Sequence, residues 1–421
     1  MDYFVIEGGN PLHGKVKISG SKNAALPIMA AAIMCDGQVI LRNVPNLSDI
    51  RHMQTILQKL GLSVERIEPD VLKLEVVEQS NCHAEYDLVR KMRASVCVMG
   101  PLLARRGLAR VAMPGGCAIG IRPIDLHLKG IEALGAQVEL IEGGDIICKG
   151  KLKGAEIFLG GHFGSSVTAT ANVMMASVFA EGRTVIEAAA CEPEIEDLAN
   201  FLVAMGAKIS GQGSPRIIIE GVNRLIGGEY SIIPDRIEAG TFMIASAISK
   251  GELTIENCKL EHLMAVTKHL DDIGVVVEKY KEGAVVRSSG YLKPTDITTQ
   301  PYPGFPTDLQ AQFMAMLSLA DGNSIITEKV FPDRFLHVAE LNRMGARLRK
   351  EGPTVVVEGV KQLIGAPVMA SDLRASAALV LAGLIAKGTT EINRVYHIDR
   401  GYERIEEKLK PLGAKIERKS R

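Results

Sequence analysis

The residues best suited to chemistry sit in short polar segments that interrupt long apolar runs. In PGGCAIGIRPIDLHLKG, residues 114–130, three glycines flank Cys117 and Arg122, and Pro123 follows. Glycines make such a loop pliable and the proline fixes its exit. A thiol beside a guanidinium can have its pKa tuned for proton transfer, although a cysteine in a turn is also an ordinary small apolar side chain. A second set is scattered along the chain: Lys22 and Asn23 in GSKNAALP, Arg93 in KMRASV, Ser165 and Ser166 in FGSSVTA, Asp235 and Arg236 in PDRIEAGTF, Asp308 in FPTDLQAQF, and Asp372 with Arg374 in SDLRASA. Brought together, these cations and carboxylates would grip a phosphate and move a proton.

An internal repeat supplies the elements that position them. Six helix-end segments, LQKLGLSVE, IEALGAQVE, LVAMGAKIS, LDDIGVVVE, LNRMGARLR and LKPLGAKIE, carry glycine at 61, 135, 206, 274, 345 and 413, spaced 68 to 74 residues apart. In each an apolar helical stripe meets a glycine suited to the left-handed position after a helix, and a β-prone run follows. A second glycine, at 37, 107, 182, 251, 322 and 388, ends an Ala-, Met- and Leu-rich run before another strand. Each unit therefore reads helix, strand, helix, strand, strand. The first helix of each unit is apolar on most sides and predicts burial; Pro27 fits one of them only near its first turn.

The second set of polar residues falls at the starts of these buried helices, where free N–H groups attract anions. For the aspartates, helix capping is the ordinary alternative, and Asp235 with Glu238 reads as a capping box. For Lys22, Arg93 and Arg374 the helix dipole argues the other way, since a cation is disfavoured there unless an anion is shared. Residues 5–19, VIEGGNPLHGKVKIS, match 218–232 and 356–370, and the last unit ends without its final strand. The amino-terminal strand is thus expected to complete that unit. Domains of residues 21–232, carrying the Cys117 loop, and of 1–20 with 233–421 follow, with the active site in the cleft between them.

Composition excludes several classes. Lys plus Arg and Asp plus Glu both number 49, and the chain has 10 Phe, 8 Tyr and no Trp, so nucleic acid and anionic membranes are not expected partners. Seven cysteines without a CxxC pair point to neither a disulfide framework nor a zinc cluster, and a reducing cytoplasm is expected. No run of 18 apolar residues predicts a membrane span.

Through GSKNAALP, MRASV, GGCAIGIRPIDLHLKG, EPEIEDLANFL, PDRIEAGTF, GFPTDLQAQF, SDLRASAALVLAG and HIDRGYERIEEKL, the sequence resembles the enolpyruvyl transferase family over essentially its whole length. The resemblance implies a two-domain inside-out α/β barrel of six βαβαββ units, three per domain. It implies transfer of the enolpyruvyl group of phosphoenolpyruvate to the 3′-hydroxyl of UDP-N-acetylglucosamine by addition and elimination, with release of phosphate, as the first committed step of peptidoglycan synthesis. No cofactor and no metal are implied. Carried over by motif, Lys22, Arg122 and Arg400 would hold the phosphate and carboxylate of phosphoenolpyruvate, with Asn23 beside them. Cys117 would be the general acid that protonates C3 and can add covalently to phosphoenolpyruvate. Asp308 would take the 3′-hydroxyl proton. Arg93, Arg122, Pro123, Ile124, Asp125, Leu126 and Val330 would line the nucleotide-sugar site, with uridine contacts from His162 and Phe163. Arg334, Asp372 and Arg374 would support closure and the reacting centre. The rival readings are a shikimate-pathway enolpyruvyl transferase, which lacks the GGCAIG loop, and a catalytically silent paralogue.

Overall fold

A computed structural model describes residues 2–113, 124–141 and 143–420. The chain divides into two compact units, one built from the described residues of 1–19 and 234–421, the other from those of 20–233. Among the described residues each unit holds three four-stranded sheets of one design. In every sheet a parallel edge strand joins two antiparallel pairings. In the 20–233 unit, Glu229–Ser231 runs parallel to Gln38–Arg42, which is antiparallel to Val71–Val76, itself antiparallel to Leu62–Glu68. A strand from the end of that unit thereby joins its first repeat. In the other unit His13–Lys17 plays the same part beside Glu252–Glu256. The strand Asp2–Glu7 lies between Thr389–Asn393 and Lys415–Ser420, antiparallel to both.

The cores are formed by helices α1 (Lys22–Ala31), α2 (Met99–Arg106) and α3 (Val167–Ser177) in one unit and α4 (Arg236–Ile248), α5 (Gln310–Leu317) and α6 (Leu373–Ile385) in the other. Every residue of α4 after Arg236 is buried, and so are Arg374–Leu384 of α6. Small side chains allow this: Ala and Gly let neighbouring helices and sheets approach, and no polar face remains to be solvated. The second helix of a repeat is different. Ser48–Lys59 buries only Asp49, Ile50, Met53, Ile56 and Leu57, the single stripe of a surface helix. The six glycines that end these second helices have φ between 88° and 112°, the left-handed state their spacing predicts.

Three local expectations need correction. Pro27 lies in the second turn of α1, not its first; its missing N–H leaves the Asn23 carbonyl without an i+4 partner, and α1 tightens into the 3-10 turn Ala32–Met34 soon after. The capping box at α4 is half-formed. Asp235 accepts from Ile237 N and Glu238 N, but the Glu238 carboxylate accepts instead from Ser19 N at 2.7 Å and Lys408 Nζ at 2.6 Å. Asp308, finally, does not cap its helix, because both carboxylate oxygens are taken by arginines. Among the described residues no helix is long and apolar enough to cross a membrane.

Phe4 shows what the amino-terminal strand contributes. It is fully buried, faces Ile392 and Arg418 across the sheet, and lies 5.0 Å beneath the Arg418 guanidinium. Phe4→Ala is expected to destabilise the 1–19 and 234–421 unit by about 3–5 kcal/mol, lowering its urea midpoint; an unchanged midpoint would show that this strand is dispensable.

Candidate active site

Asp308 organises the first of two polar clusters. It lies in the 3-10 turn Thr307–Leu309, which leads into α5. Arg334 Nη1 donates to its Oδ1 at 2.7 Å, and Arg374 Nη2 donates to its Oδ2 at 2.8 Å. Both guanidiniums are buried, while the Asp308 side chain is 25% exposed. Burial alone would push the carboxyl up, but Arg374 and Arg334 outweigh it and hold Asp308 well below the usual carboxylate range. Burial likewise opposes the charge on Arg374, and Asp308, together with Tyr402 and Asp235, more than offsets it. Arg374 Nη1 also donates to the Tyr402 hydroxyl at 3.2 Å. That hydroxyl lies 2.8 Å from Thr241 Oγ1, and Gln312 Nε2 donates both to it and to the Asp308 carbonyl.

Asp372 sits at the start of α6, where its Oδ1 accepts from Arg374 N and Ala375 N. The capping reading holds for this aspartate, and its position beside Arg374 is a second consequence of the same turn. His337 is 1% exposed. Burial pushes its imidazole down to about 4 against the pull of Asp372, with Arg334 adding to the shift, so it is neutral near pH 7. Arg400 ends the 3-10 segment Val395–Arg400. It and Asp372 both act electrostatically on His397, which burial and Arg400 lower. The fold therefore gathers Asp308, Arg334, Arg374, Asp372 and Arg400 within one unit. Val330 stands nearby in sequence, its N–H donated to Glu328.

The second cluster lies in the 20–233 unit. Lys22 opens α1 behind the cap Ser21, and its Nζ lies 3.0 Å from Asp49 Oδ2, with both side chains buried. The anion that a cation at a helix start requires is thus present, and it is Asp49, which sequence reasoning missed. Asn23 is the next residue of α1, Arg93 opens the 3-10 segment Arg93–Val98 that packs on this helix, and Ser166 caps α3. Ile124 is buried at the start of the helix Asp125–Ala133, with Asp125 exposed and Leu126 half-buried. His127 anchors that helix. Asn172 Nδ2 donates to its Nδ1 at 2.8 Å, which leaves Nε2 to donate to Thr168 Oγ1 at 3.1 Å. His162 and Phe163 form the turn between Gly160–Gly161 and Gly164–Ser165, edge to face with each other.

The predicted residues Cys117, Arg122 and Pro123 lie outside the described residues. Four other thiols, of Cys35, Cys97, Cys148 and Cys258, are buried, and burial pushes each up to about 12. They are inert in consequence. Among the described residues no group of three or more His, Cys, Asp or Glu side chains is placed to hold a metal ion.

This fold and these charged helix starts define a class. Residues 6–409 match the family model described as EPSP synthase (3-phosphoshikimate 1-carboxyvinyltransferase), and the chain belongs to this family of carboxyvinyltransferases. Over its full length it is similar to two curated relatives. It is 55% identical to the UDP-N-acetylglucosamine 1-carboxyvinyltransferase of Methylacidiphilum infernorum, with 99% of each chain covered. It is 56% identical to UDP-N-acetylglucosamine 1-carboxyvinyltransferase 2 of Carboxydothermus hydrogenoformans, with 100% of each covered. Among solved structures, the enolpyruvyl transferase NikO from Streptomyces tendae superposes with a TM-score of 0.91 at 24% identity, covering 100% of this chain and 99% of that one. EPSP synthase from Acinetobacter baumannii gives 0.79 at 19%, with both chains fully covered. These two likenesses establish the enolpyruvyl transferase fold.

The arginine clamp has a pH signature. Because the folded value of Asp308 is depressed, the stability it contributes is fully present above about pH 4, its unfolded value, and is lost as pH falls through the folded value. The stability difference between the wild-type chain and Asp308→Asn, read from urea midpoints, is expected to be larger at pH 7 than at pH 3. A difference independent of pH would mean that the clamp does not act through charge.

Proposed function

We propose that the chain transfers the enolpyruvyl group of phosphoenolpyruvate to the 3′-hydroxyl of UDP-N-acetylglucosamine and releases phosphate, an early step of peptidoglycan synthesis. The observation that carries this reading is the 55–56% identity, over essentially complete chains, to carboxyvinyltransferases named for that nucleotide sugar. The shikimate alternative has less support, since the EPSP synthase structures share only 19% of their residues with this chain.

In this reading the reaction is an addition followed by an elimination. A proton from the Cys117 thiol goes to C3 of phosphoenolpyruvate, and the 3′-oxygen bonds to C2 as Asp308 takes its proton. C3 then returns a proton to the Cys117 thiolate, the C2–O bond to phosphate breaks, and the enol ether leaves with inorganic phosphate, which carries off the proton taken by Asp308. An enol phosphate is a poor electrophile until C3 is protonated, and the cationic character that then develops at C2 is stabilised by nearby carboxylates, the part given to Asp308 and Asp372. Lys22, Arg122 and Arg400 neutralise the phosphate and carboxylate, and Asn23 adds a polar contact. Arg93, Arg122, Pro123, Ile124, Asp125, Leu126 and Val330 line the nucleotide-sugar site.

The arginine clamp makes Asp308 a weak base. An incoming anion that draws hydrogen bonds from Arg334 or Arg374 loosens the clamp and raises the proton affinity of Asp308 when a proton acceptor is needed.

Phosphate release measured with phosphoenolpyruvate and UDP-N-acetylglucosamine, beside a parallel assay with shikimate 3-phosphate, tests the reading. Turnover is expected with the nucleotide sugar alone, and turnover only with shikimate 3-phosphate would reverse the assignment. Asp308→Ala should lower kcat by about 100-fold or more, within the range of a lost general base. Cys117→Ala should lose activity near neutral pH while Cys117→Asp retains part of it. Full turnover by Cys117→Ala would remove the thiol from the proton transfer.

A further inference from the structure

Glu328 follows the strand Asn323–Thr327 and is 0% exposed. Its carboxylate accepts four hydrogen bonds, all from neutral groups. Oε1 takes the Thr299 hydroxyl at 2.6 Å, Val330 N at 2.8 Å and Phe331 N at 2.9 Å. Oε2 takes the Thr307 hydroxyl at 2.9 Å. Thr299 completes the arrangement by accepting from Lys329 N at 2.9 Å. Four donors converging on one side chain suit an acceptor-only group. A carboxamide would turn its NH2 on at least one of them.

The two carboxylate oxygens hold two different pieces of the candidate site. Through Oε1, Glu328 draws the chain into the turn that presents Val330 and brings it round to Arg334, whose N–H donates to the Phe331 carbonyl. Through Oε2 it orients the Thr307 hydroxyl, which in turn accepts from Arg334 Nη1 at 3.2 Å. The same Nη1 holds Asp308. A buried, fully hydrogen-bonded carboxylate is costly to disturb, so it fixes its partners closely.

Resting on the proposed function, we propose that Glu328 is a positioning residue for the transfer. It sets the Val330 turn on the nucleotide-sugar side, and through Thr307 it sets the arginine clamp that tunes Asp308. It touches neither substrate.

The test uses the full chain with Glu328→Gln, Thr307→Val, Thr307→Ser and the Glu328→Gln/Thr307→Val double variant. Glu328→Gln is expected to raise KM for UDP-N-acetylglucosamine and lower kcat, each by about 10- to 100-fold, with KM for phosphoenolpyruvate changing less. Thr307→Val should lower kcat with little change in the nucleotide-sugar KM, and Thr307→Ser, which keeps the hydroxyl, should recover more kcat than valine does. In kcat the double variant should lose less than the two single losses combined, as expected of groups acting along one path. The backbone amide signals of Val330 and Phe331 should move upfield in Glu328→Gln, reporting hydrogen bonds weakened by loss of the carboxylate charge, without any substrate. A Glu328→Gln variant with kcat and both KM values unchanged overturns the inference. So does one whose only defect is a lower urea midpoint or a smaller active fraction, since a purely structural role predicts that. A wild-type chain that does not turn over the nucleotide sugar, while the amide signals respond as expected, overturns the proposed function and leaves the anchored turn standing.

Discussion

The ion pairs of Asp308 with Arg334 and Arg374 are the constraint on which this unit of the molecule turns. A buried guanidinium needs a partner, because an unpaired charge away from water is far costlier than any packing contact it could make. Arg374 is 3% exposed, and its charge is matched by Asp308 and steadied by the Tyr402 hydroxyl. Arg374 comes from α6 and Asp308 from the turn before α5, so the pairing joins consecutive repeats at the ends of their core helices. Packing sets how the helices lie, and the charges set which turns meet at their ends.

A repeated backbone does not impose repeated chemistry. Ser166, Asp235 and Asp372 all turn a side-chain oxygen onto the first N–H groups of their helices. Asp308 occupies the equivalent place in its repeat and does something else, because a 3-10 turn precedes α5 and the carboxylate points to the two arginines. One change in local geometry converts a capping group into a proton-handling candidate. Glu238 makes a comparable departure in α4: it gives up the capping box and holds Ser19 N with Lys408.

Most of the architecture was legible in the sequence because it repeats. A glycine recurring about every 70 residues reports a left-handed backbone position that other residues adopt only at a cost, so it survives as a readable mark. The polar residues at the helix starts were legible by contrast, as charges placed before apolar runs. What could not be read was the pairing. Asp49 stands in the first turn of Ser48–Lys59, where an acid is ordinary, and nothing local says that it faces Lys22. Tyr402, His127 and Asn172 belong to apolar or mixed segments, and their hydrogen bonds reach helices 28 to 161 residues away along the chain. Nothing local to Glu328 marks it as buried, and only the fold shows that two threonines and two backbone N–H groups surround it.

The low proton affinity of Asp308 and its proposed work as a base are two states of one balance. Burial, acting alone, would make this carboxylate a stronger base than aspartate in water; the arginines reverse the sign. A guanidinium hydrogen bond drawn away from the carboxylate therefore moves its proton affinity upward. Arg374 already divides its donors between Asp308 and Tyr402, and Arg334 between Asp308 and Thr307. A guanidinium can rotate one N–H toward an arriving phosphate without leaving its place, so the exchange needs no large motion of the backbone. In the proposed function, the basicity of the carboxylate is thereby tied to an anion that competes for the same guanidiniums.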